Sequence, residues 1–311
     1  MILKFQYSKF SLQRICGLFD ISRQGYNRNN NKLKKNLIES NLIVKKVKEL
    51  RKDHPKMGGR KLYYLLKPEI EKAGINIGRD KFFKILTANN LLIKNHRKQI
   101  RTTYSFHWLR KYKNLIKDKT AERKDEIWVS DITYWNIGKR FLYLHFITDV
   151  YSKKIIGYSV SETMKVNDII PSLEMALSSR KDINNSLIHH SDRGIQYCSK
   201  VYTDLLKSAN IEISMTENGD PLENPLAERI NGIIKLEYLK NVKVKNIIKA
   251  RKELSKTVEL YNNNRPHLSC NYHTPNEIYE DKKLPKIVWK NYYKNTTVNY
   301  CKDNEKVVNL C

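Results

Sequence analysis

Cysteine is scarce in this sequence, and its placement excludes two kinds of structural site. The five cysteines are odd in number, lie far apart and never form a CxxC pair; they stand at positions 16, 198, 270, 301 and 311. Neither a disulfide framework nor a zinc ribbon has this spacing. We therefore expect a protein of a reducing compartment.

Long apolar runs and a leader-like start are missing as well. No stretch approaches the roughly 20 apolar residues of a membrane span. The first ten residues, MILKFQYSKF, lack the charged start, apolar run and cleavage site of a secretory signal. These absences predict a soluble, cytoplasmic protein.

Acidic side chains are few in the first part of the chain. The whole sequence has 59 Lys and Arg against 32 Asp and Glu, a formal net charge of +27. Residues 1–120 contain 30 of the basic and 8 of the acidic side chains, which leaves 29 and 24 for the remainder. Such an excess of one sign indicates a polyanionic partner, because a merely solubilising surface would destabilise a compact domain by self-repulsion.

The basic half of the chain has helical periodicity. Residues 11–29 read as a short helix, a turn and a second short helix capped by Ser22, and a lysine-rich helix follows at 32–52. A second helical pair is predicted at 58–68 and 79–90. Both pairs resemble helix-turn-helix units, in which the second helix enters the major groove of DNA.

We assign residues 1–93 to a DNA-binding region on this basis. Its candidate DNA contacts are the basic side chains of the second helical pair, namely Arg60, Arg79, Lys81 and Lys84.

Residues 94–122 are predicted to be a basic linker. Lys and Arg alternate there with Tyr104, Phe106, Trp108 and Tyr112, and no clear period emerges. The linker can lie on DNA, with its charges on phosphates and its rings in stacking contacts. It can equally be a tether whose aromatic side chains pack on the next domain.

The pattern changes to strands near residue 125. Strands predicted at 126–135, 140–150 and 153–162 form an antiparallel meander. The later predicted elements are a helix at 167–180, a strand at 186–192, a helix at 199–210, a strand at 211–215 and helices at 223–240 and 246–262. This order predicts a mixed five-stranded α/β sheet covered by helices, in a core of residues 123–285 followed by a tail at 286–311.

Three carboxylates stand where such a sheet can bring them together. Asp131 lies in the middle of the first strand, Asp192 ends the fourth, and Glu228 lies on the helix after the fifth. An Asp inside a central strand is costly unless a cation or hydrogen bonds stabilise it. Each acid alone is ordinary at a strand end or on a helix surface, so it is the combination that indicates a site.

The adjacent histidines in SLIHHSDRGIQY raise the alternative of a transition-metal site. His189 and His190 are neighbours on a strand, so their side chains point to opposite faces. No Cys or third His lies near them in sequence, and zinc requires three or four such ligands. Packing or supporting roles are favoured for both.

Carboxylates without nitrogen or sulfur ligands suit Mg²⁺ or Mn²⁺. Two such ions, about 4 Å apart, can activate the attacking oxygen and stabilise the leaving oxygen of a phosphodiester. Asn224, Asn231 and Lys235 share the helix face of Glu228. This polar stripe is interpreted as a surface for a phosphate backbone, the alternative being a solvated helix face.

Three blocks of the sequence, WVSDITYW, HHSDRGIQY and NPLAERINGIIK, resemble the signature blocks of the DDE transposase and retroviral-integrase superfamily. The resemblance is closest to the IS3 family of insertion-sequence transposases. Residues 193–227 separate Asp192 from Glu228, which is the spacing in that family's D,D(35)E name. GGRKLYYLL and YNNNRPHLSCNYHTPNEI are similar to its helix-turn-helix segment and its C-terminal block.

This resemblance implies an RNase H-like core in which Asp131, Asp192 and Glu228 are the catalytic, metal-binding acids. It implies a transposase that binds double-stranded DNA at terminal inverted repeats and at target sites. With two Mg²⁺ or Mn²⁺ ions, such an enzyme cleaves DNA and transfers the resulting 3′-hydroxyl. The sequence departs from the family just before the glutamate helix, where it has Glu223-Asn224-Pro225 and the family more often has Asp-Asn-Ala.

The family further implies a homo-oligomer on DNA in the bacterial nucleoid. The retroviral HHCC motif is missing, so a structural zinc is not expected. A leucine-zipper segment, which the family usually encodes in a preceding overlapping frame, is missing too. We therefore expect a downstream-frame product that acts alone, with an upstream-frame protein, or as a frameshift fusion with it. The competing hypotheses are an RNase H-type nuclease and a non-catalytic DNA-binding repressor.

Several other polar residues near these motifs are expected to have supporting roles or to contact DNA. Asp149 is assigned to turn hydrogen bonding. Arg193 and Gln196 are expected to contact DNA near the metals. Arg265 and His267 either contact DNA or hold the C-terminal helix.

Overall fold

The computed structural model describes residues 10–93, 108–117, 119–138, 140–217 and 223–280. Two compact units divide the chain, one of residues 1–97 and one of residues 98–311. In the part of the chain that is described, no helix combines the length and apolar content needed to cross a bilayer.

The described part of the N-terminal unit, residues 10–93, contains four helices, α1 (Leu12–Leu18), α2 (Arg23–Asp53), α3 (Gly59–Lys72) and α4 (Arg79–Ala88). Ser22 caps α2 as predicted, since its hydroxyl accepts a hydrogen bond from Gly25 N at 2.9 Å. The prediction of a separate helix at 32–52 is wrong, because α2 runs on without a break. Asn residues at 29–31 suggest a boundary, but Asn costs a helix only about 0.7 kcal/mol and does not end it.

The predicted end of α3 at residue 68 is also wrong. Pro68 lies inside the helix, which continues to Lys72. Leu62, Leu66 and Ile70 form one buried stripe, and burial of Ile70 explains why the helix extends past the proline. The stripe packs with residues of α2 and α4 in a single apolar core; these include Ile43, Val47, Phe82 and Leu86.

The second unit is built on a five-stranded sheet: β1 (Ile127–Asn136), β2 (Phe141–Asp149), β3 (Ile155–Ser161), β4 (Ile188–Ser191) and β5 (Glu212–Met215). The strand order is β3-β2-β1-β4-β5. β2 is antiparallel to β1 and β3, whereas β4 is parallel to β1 and β5. The predicted meander and the predicted mixed sheet are both present, with β1 at the centre.

Helices cover both faces of this sheet. They are α5 (Val166–Ser179), α6 (Ile195–Cys198), α7 (Lys200–Ser208), α8 (Pro225–Ile233), α9 (Ile247–Asn264) and α10 (Pro275–Glu280). One core lies under α5 to α7 and includes Trp128 of β1. The other lies under α8 and α9 and includes Phe146 of β2. The flanked mixed sheet is the architecture that the sequence predicts.

The predicted single helix at 223–240 has three parts in the structure. Asn224 is the N-cap of α8, and Pro225 occupies the first helical position, where its missing N–H costs nothing. A π-helical turn, Ile234–Tyr238, follows directly, and a 3₁₀ turn, Leu239–Asn241, ends the segment. A π-turn inserts an extra residue, and such insertions are frequent at functional sites.

The outer edge of β3 is bound by a side chain. Asn262 of α9 accepts a hydrogen bond from Ile155 N at 3.0 Å and donates one to Ile155 O at 2.9 Å. The amide therefore satisfies the backbone groups that a neighbouring strand would have bound.

Gly157 of β3 allows α5 to approach the sheet closely. A Cβ atom at this position would lie 2.0 Å from the backbone oxygen of Ser172 on α5. We expect Gly157→Ala to lower the free energy of unfolding by about 3 kcal/mol, because helix backbone cannot move away as a side chain can. Chemical denaturation measures the loss.

Gly232→Ala is the matched control for this substitution. Nothing lies within 4 Å of the position that its Cβ would take, and alanine favours a helix over glycine. Equal stability of the two variants would show that the close approach of α5 to β3 does not limit stability.

Candidate active site

Asp131 lies at the centre of the sheet. It stands in the middle of β1, paired with Phe146 of β2. Asn231 of α8 donates a hydrogen bond from its amide to Asp131 Oδ2 at 2.7 Å. An acidic side chain at this depth is thus held by the helix that carries Glu228.

Asp192 directly follows β4, the parallel neighbour of β1. The register pairs Val129 with His190, so Asp131 and Asp192 stand two residues beyond this pair on their respective strands. Gly194 N donates to Asp192 Oδ1 at 3.0 Å and fixes the turn after the strand. Parallel pairing brings these two acids to the same end of the sheet.

Glu228 lies in the first turn of α8, which packs against β1. Its side chain is exposed, whereas Asn231, one turn later, is buried. Glu228 lies close enough to Asp131 for its charge to act on the Asp131 carboxyl group. The three predicted acids therefore lie on three different elements and are close enough for their charges to interact.

The electrostatics of Asp131 are those of a carboxylate that needs a cation. Burial, together with the negative charges of Asp192 and Glu228, raises the pKa of Asp131 to about 8, although the hydrogen bond from Asn231 opposes this rise. Lys235 is half-buried nearby, and its pKa is lowered by burial despite the charge of Asp131. A divalent cation among the acids would offset their mutual repulsion.

The donor set suits a hard cation. The three side chains offer only oxygen atoms, as Mg²⁺ and Mn²⁺ prefer. Among the residues described, however, no three His, Cys, Asp or Glu side chains already stand at the mutual distances of a closed metal site. The acids fit a site that an ion and phosphate oxygens would complete, because Mg²⁺ takes much of its coordination from water and substrate phosphates.

The polar stripe beside Glu228 faces β1, not solvent. Asn224 donates to Ser130 O at 2.9 Å, and Lys235 donates to Thr133 Oγ1 at 2.8 Å. Lys235 also lies over the ring of Tyr134, at 4.5 Å from its centroid. The interpretation of this stripe as a phosphate-facing surface is corrected for Asn224 and Asn231, which are buried and occupied with the strand.

His189 and His190 are both buried and point to opposite faces of β4. Tyr202 OH and His189 Nε2 share a hydrogen bond of 3.1 Å. His190 Nε2 donates to Glu223 O at 3.1 Å, and its Nδ1 accepts from the Ser214 hydroxyl at 2.8 Å. Burial lowers the pKa of His189 to about 3 and that of His190 to about 4, so both rings are neutral packing and hydrogen-bonding groups.

Asp149 forms the turn hydrogen bonds that the sequence predicts for it. Its carboxylate accepts from Asp125 N at 2.9 Å and from Ser152 N at 2.7 Å. Asp125 in turn accepts from Trp128 Nε1 at 3.0 Å and from Tyr279 OH. Sequence reasoning missed Asp125, which joins α10 to the sheet through Tyr279; its left-handed φ of 56° has no sequence signature in an Asp.

Arg265 is buried and holds the π-turn. Its guanidinium donates to both carboxylate oxygens of Glu237, at 2.8 and 2.7 Å, and to His267 Nε2 at 2.9 Å. Only 2% of its surface is exposed. Of the two interpretations of Arg265, the structural one holds, and we remove it from the DNA-contacting set.

The remaining candidates near the acids have mixed surroundings. Gln196 donates to Met164 O at 2.8 Å, which ties α6 to the loop before α5. Arg193 is half-buried in the turn after Asp192.

In the N-terminal unit Arg60, Arg79 and Lys84 are exposed, whereas Lys81 donates to Glu39 at 3.1 Å and to Asn36 at 3.2 Å.

Comparison with known proteins gives consistent matches. Two family models, both described as integrase core domain, match residues 121–221 and 209–275. The chain is 33% identical to a transposase for insertion sequence element IS629 from Shigella sonnei, over 68% of this chain and 70% of that protein. It is 31% identical to an IS600 31 kDa protein from the same organism, over 81% of this chain and 93% of that protein.

Among solved structures, the chain is similar to the catalytic core domain of HTLV-2 integrase in complex with magnesium. That match has a TM-score of 0.42 and 21% identity, and covers 52% of this chain and 100% of the other. A simian T-cell lymphotropic virus intasome in complex with a PP2A regulatory subunit matches with a TM-score of 0.45 and 18% identity, over 76% and 79% of the two chains.

Repulsion among the three acids should lower the thermal stability of the folded protein. At pH 9, above the raised pKa of Asp131, and without divalent ions, Asp131→Asn should be more stable than the wild type, because one of three clustered charges is removed. Adding MgCl₂ should raise the Tm of the wild type and have a smaller effect on the variant; a gain of 1 kcal/mol corresponds to roughly 2–4 °C. Differential scanning calorimetry with EDTA or MgCl₂ measures both. Asp204→Asn on α7, at an exposed carboxylate, is the control and should respond to Mg²⁺ as the wild type does.

Buried histidines predict sensitivity to acid. His145 of β2 shares a hydrogen bond with Ser172, and burial, together with the repulsion that a protonated His189 would exert, lowers its pKa from 6.5 to about 3. The unfolded state therefore gains a proton that the folded state cannot accept, so stability falls as the pH drops from about 6.5 toward 3. Each such histidine contributes a slope of about 1.4 kcal/mol per pH unit.

His145→Asn should make the free energy of unfolding less dependent on pH, by the uptake of about one proton. Urea denaturation between pH 7 and pH 5 measures this change. An unaltered slope in His145→Asn would show that His145 is protonated in the folded protein.

Proposed function

The chain belongs to the IS3 family of insertion-sequence transposases, and on that premise we propose that Asp131, Asp192 and Glu228 are its catalytic carboxylates. As a DDE-type polynucleotidyl transferase, the protein functions in DNA transposition. One observation carries the assignment of the acids: the parallel register of β1 and β4 brings Asp131 and Asp192 to one end of the sheet, and the helix of Glu228 is hydrogen-bonded to Asp131 through Asn231.

We propose that these acids hold two Mg²⁺ or Mn²⁺ ions. Such ions, when bound, supply activation of the attacking oxygen and stabilisation of the leaving oxygen. The all-oxygen donor set and the raised pKa of Asp131 support this choice. Asn231 would keep Asp131 in one rotamer through its 2.7 Å hydrogen bond, and Lys235, anchored on Thr133, would bring a positive charge to the phosphate side of the acids.

The reaction then has two stages at one site. In the first, water is directed at a phosphodiester at the element end, which releases a 3′-hydroxyl. In the second, that hydroxyl attacks a phosphodiester of the target DNA. Both are displacements at phosphorus by an oxygen nucleophile, so no covalent intermediate with the protein is needed.

The N-terminal unit is proposed to bind the terminal inverted repeats. Its large basic excess favours a phosphate-rich partner, and α4 would be the helix in the major groove. Arg60, Arg79 and Lys84 are exposed and remain candidate contacts. Lys81 would be a weaker one, because Glu39 and Asn36 of α2 already bind its ammonium group.

Assembly on DNA is proposed as well. A transposase that joins an element end to a target must hold two DNA sites at once, and several copies of one chain can supply the binding surfaces for both. We infer a homo-oligomer on nucleoid DNA, with duplex element ends and target DNA as partners. The upstream-frame protein, or a frameshift fusion with it, stays a prediction.

The catalytic assignment is tested by removing one charge at a time. Asp131→Asn, Asp192→Asn and Glu228→Gln should each reduce Mg²⁺-dependent cleavage and strand transfer by about a thousand-fold or more, since a weakened metal site disables both stages. Binding of a labelled element-end duplex, measured by mobility shift without metal, should stay within about two-fold.

Asp204→Asn is the matched control and should cleave normally. Product analysis separates the competing functions: a nuclease cleaves without joining the 3′-end to target DNA, and a repressor does neither. Full activity in Asp131→Asn or Asp192→Asn would refute the assignment.

A further inference from the structure

Residues 108–116 form an irregular segment beside β5, which we name the basic strap. Lys113 O accepts a hydrogen bond from Met215 N at 3.3 Å, and Leu115 N donates to Ser214 Oγ at 2.8 Å. Both partners belong to β5, so the strap is fixed to the edge of the sheet and is not a free tether.

The strap has an inner and an outer side. Leu109 and Tyr112 are half-buried and pack against the core under α5 to α7. The exposed side chains are one tryptophan and three cations, namely Trp108, Arg110, Lys111 and Lys113. Tyr112 packs on the core, as one of the two sequence interpretations has it, and Trp108 faces outward, whereas Tyr104 and Phe106 lie outside the described residues.

This outer side lies next to the candidate active site. Met215, which binds Lys113, is the register partner of Ser191, the residue before Asp192. With neighbouring strands about 4.8 Å apart, the strap backbone lies on the order of 10 Å from the end of β4. The charges of Asp192 and Lys111 also act on the same thiol, that of Cys198.

Trp108 is unusual among the tryptophans that the structure describes. Its side chain is 92% exposed, whereas Trp128 and Trp135 are 0% and 4% exposed. Tryptophan is highly buried on average, so an exposed one on a basic surface suits a partner with a flat apolar face and a negative charge. Nucleotides have both properties.

Arg110 is arranged for the same kind of partner. Its guanidinium lies over the Tyr112 ring, 5.1 Å from the centroid. The ring holds the cation on the outer side at a reduced entropic cost. Trp108 and the three cations are therefore presented together on one short segment.

We propose that the basic strap binds the unpaired end of a DNA strand, with Trp108 stacked on a base and Arg110, Lys111 and Lys113 on phosphates. Unpaired DNA is favoured over duplex because a base exposes its flat face only when it leaves the stack. The proposal rests on the proposed function, in which a cleaved strand end must stay beside the acids for the second stage.

The test compares two element-end duplexes, one blunt and one with an unpaired tail at its 3′-end, by fluorescence polarisation in EDTA with the full-length chain. Trp108→Ala should weaken binding of the tailed duplex about ten-fold and leave the blunt duplex within two-fold, as expected for the loss of one stacked base. Trp108→Phe, which keeps an aromatic ring, should retain most of the affinity. Lys111→Ala should reduce the salt dependence of tail binding by about 0.7 in log–log slope.

Ile183→Ala and Lys181→Ala are matched controls, an exposed apolar residue and an exposed lysine away from the strap. Both should bind the tailed duplex like the wild type. Unchanged tail binding in Trp108→Ala would overturn the proposal, and so would an equal loss on both duplexes or a clear fall in Tm, which would mean that Trp108 packs on protein. Because no metal is present, a failure of the catalytic assignment would leave this result unaffected.

Discussion

The placement of one carboxylate inside the central strand governs the catalytic unit. Asp131 is partly buried, and its burial together with two further acids raises its pKa to about 8, so the unit must supply groups that stabilise it. Asn231 does so directly, at 2.7 Å, which requires α8 to lie across β1 in one rotation. Asn224 and Lys235, above and below, bind Ser130 and Thr133 of the same strand and fix that rotation. Glu228 then stands on the exposed side of the first turn, where its position follows from three anchors along β1.

The same requirement explains the segment after α8. The π-turn at Ile234–Tyr238 places Glu237 against Arg265, whose guanidinium is bound on both sides by Glu237 and His267. A buried ion pair of this kind stabilises little by itself, because desolvation offsets much of the attraction. It does specify one geometry, since Arg265 without Glu237 would be an uncompensated buried charge. The RPH motif directly after α9 thus constrains the helical segment that carries Glu228, because Arg265 of the motif binds Glu237.

Much of this arrangement could be predicted from the sequence, and the limits are physical. Alternation in EIWVSDITYW identifies β1 and the face of Asp131, and the predicted fourth strand ends at Asp192, because both patterns are local. That this strand is a parallel neighbour of β1 follows only from the fold. The orientation of Asn224 and Asn231 could not be predicted, since a polar helix face looks the same whether water or a strand lies opposite. Arg265 is ambiguous in the sequence for a similar reason: its partner Glu237 lies 28 residues away and only the fold brings the two together. The full length of α2 could not be predicted from propensity, because consecutive weak helix formers lower the stability of a helix without ending it.

Asn262 at the β3 edge and the basic strap at the β5 edge together limit how copies of this chain can associate. A sheet with an open edge can recruit a strand from another molecule, the route of strand addition and of many aggregates. Here Asn262 binds both backbone groups of Ile155 at the β3 edge, and Lys113 O accepts from Met215 N at the β5 edge, where Leu115 N also donates to the Ser214 side chain. At these positions the sheet is closed to a further strand. Self-association on DNA would then rely on helices and loops, which can separate once the joining is complete, and not on a continuous intermolecular sheet, which would be slow to dissolve.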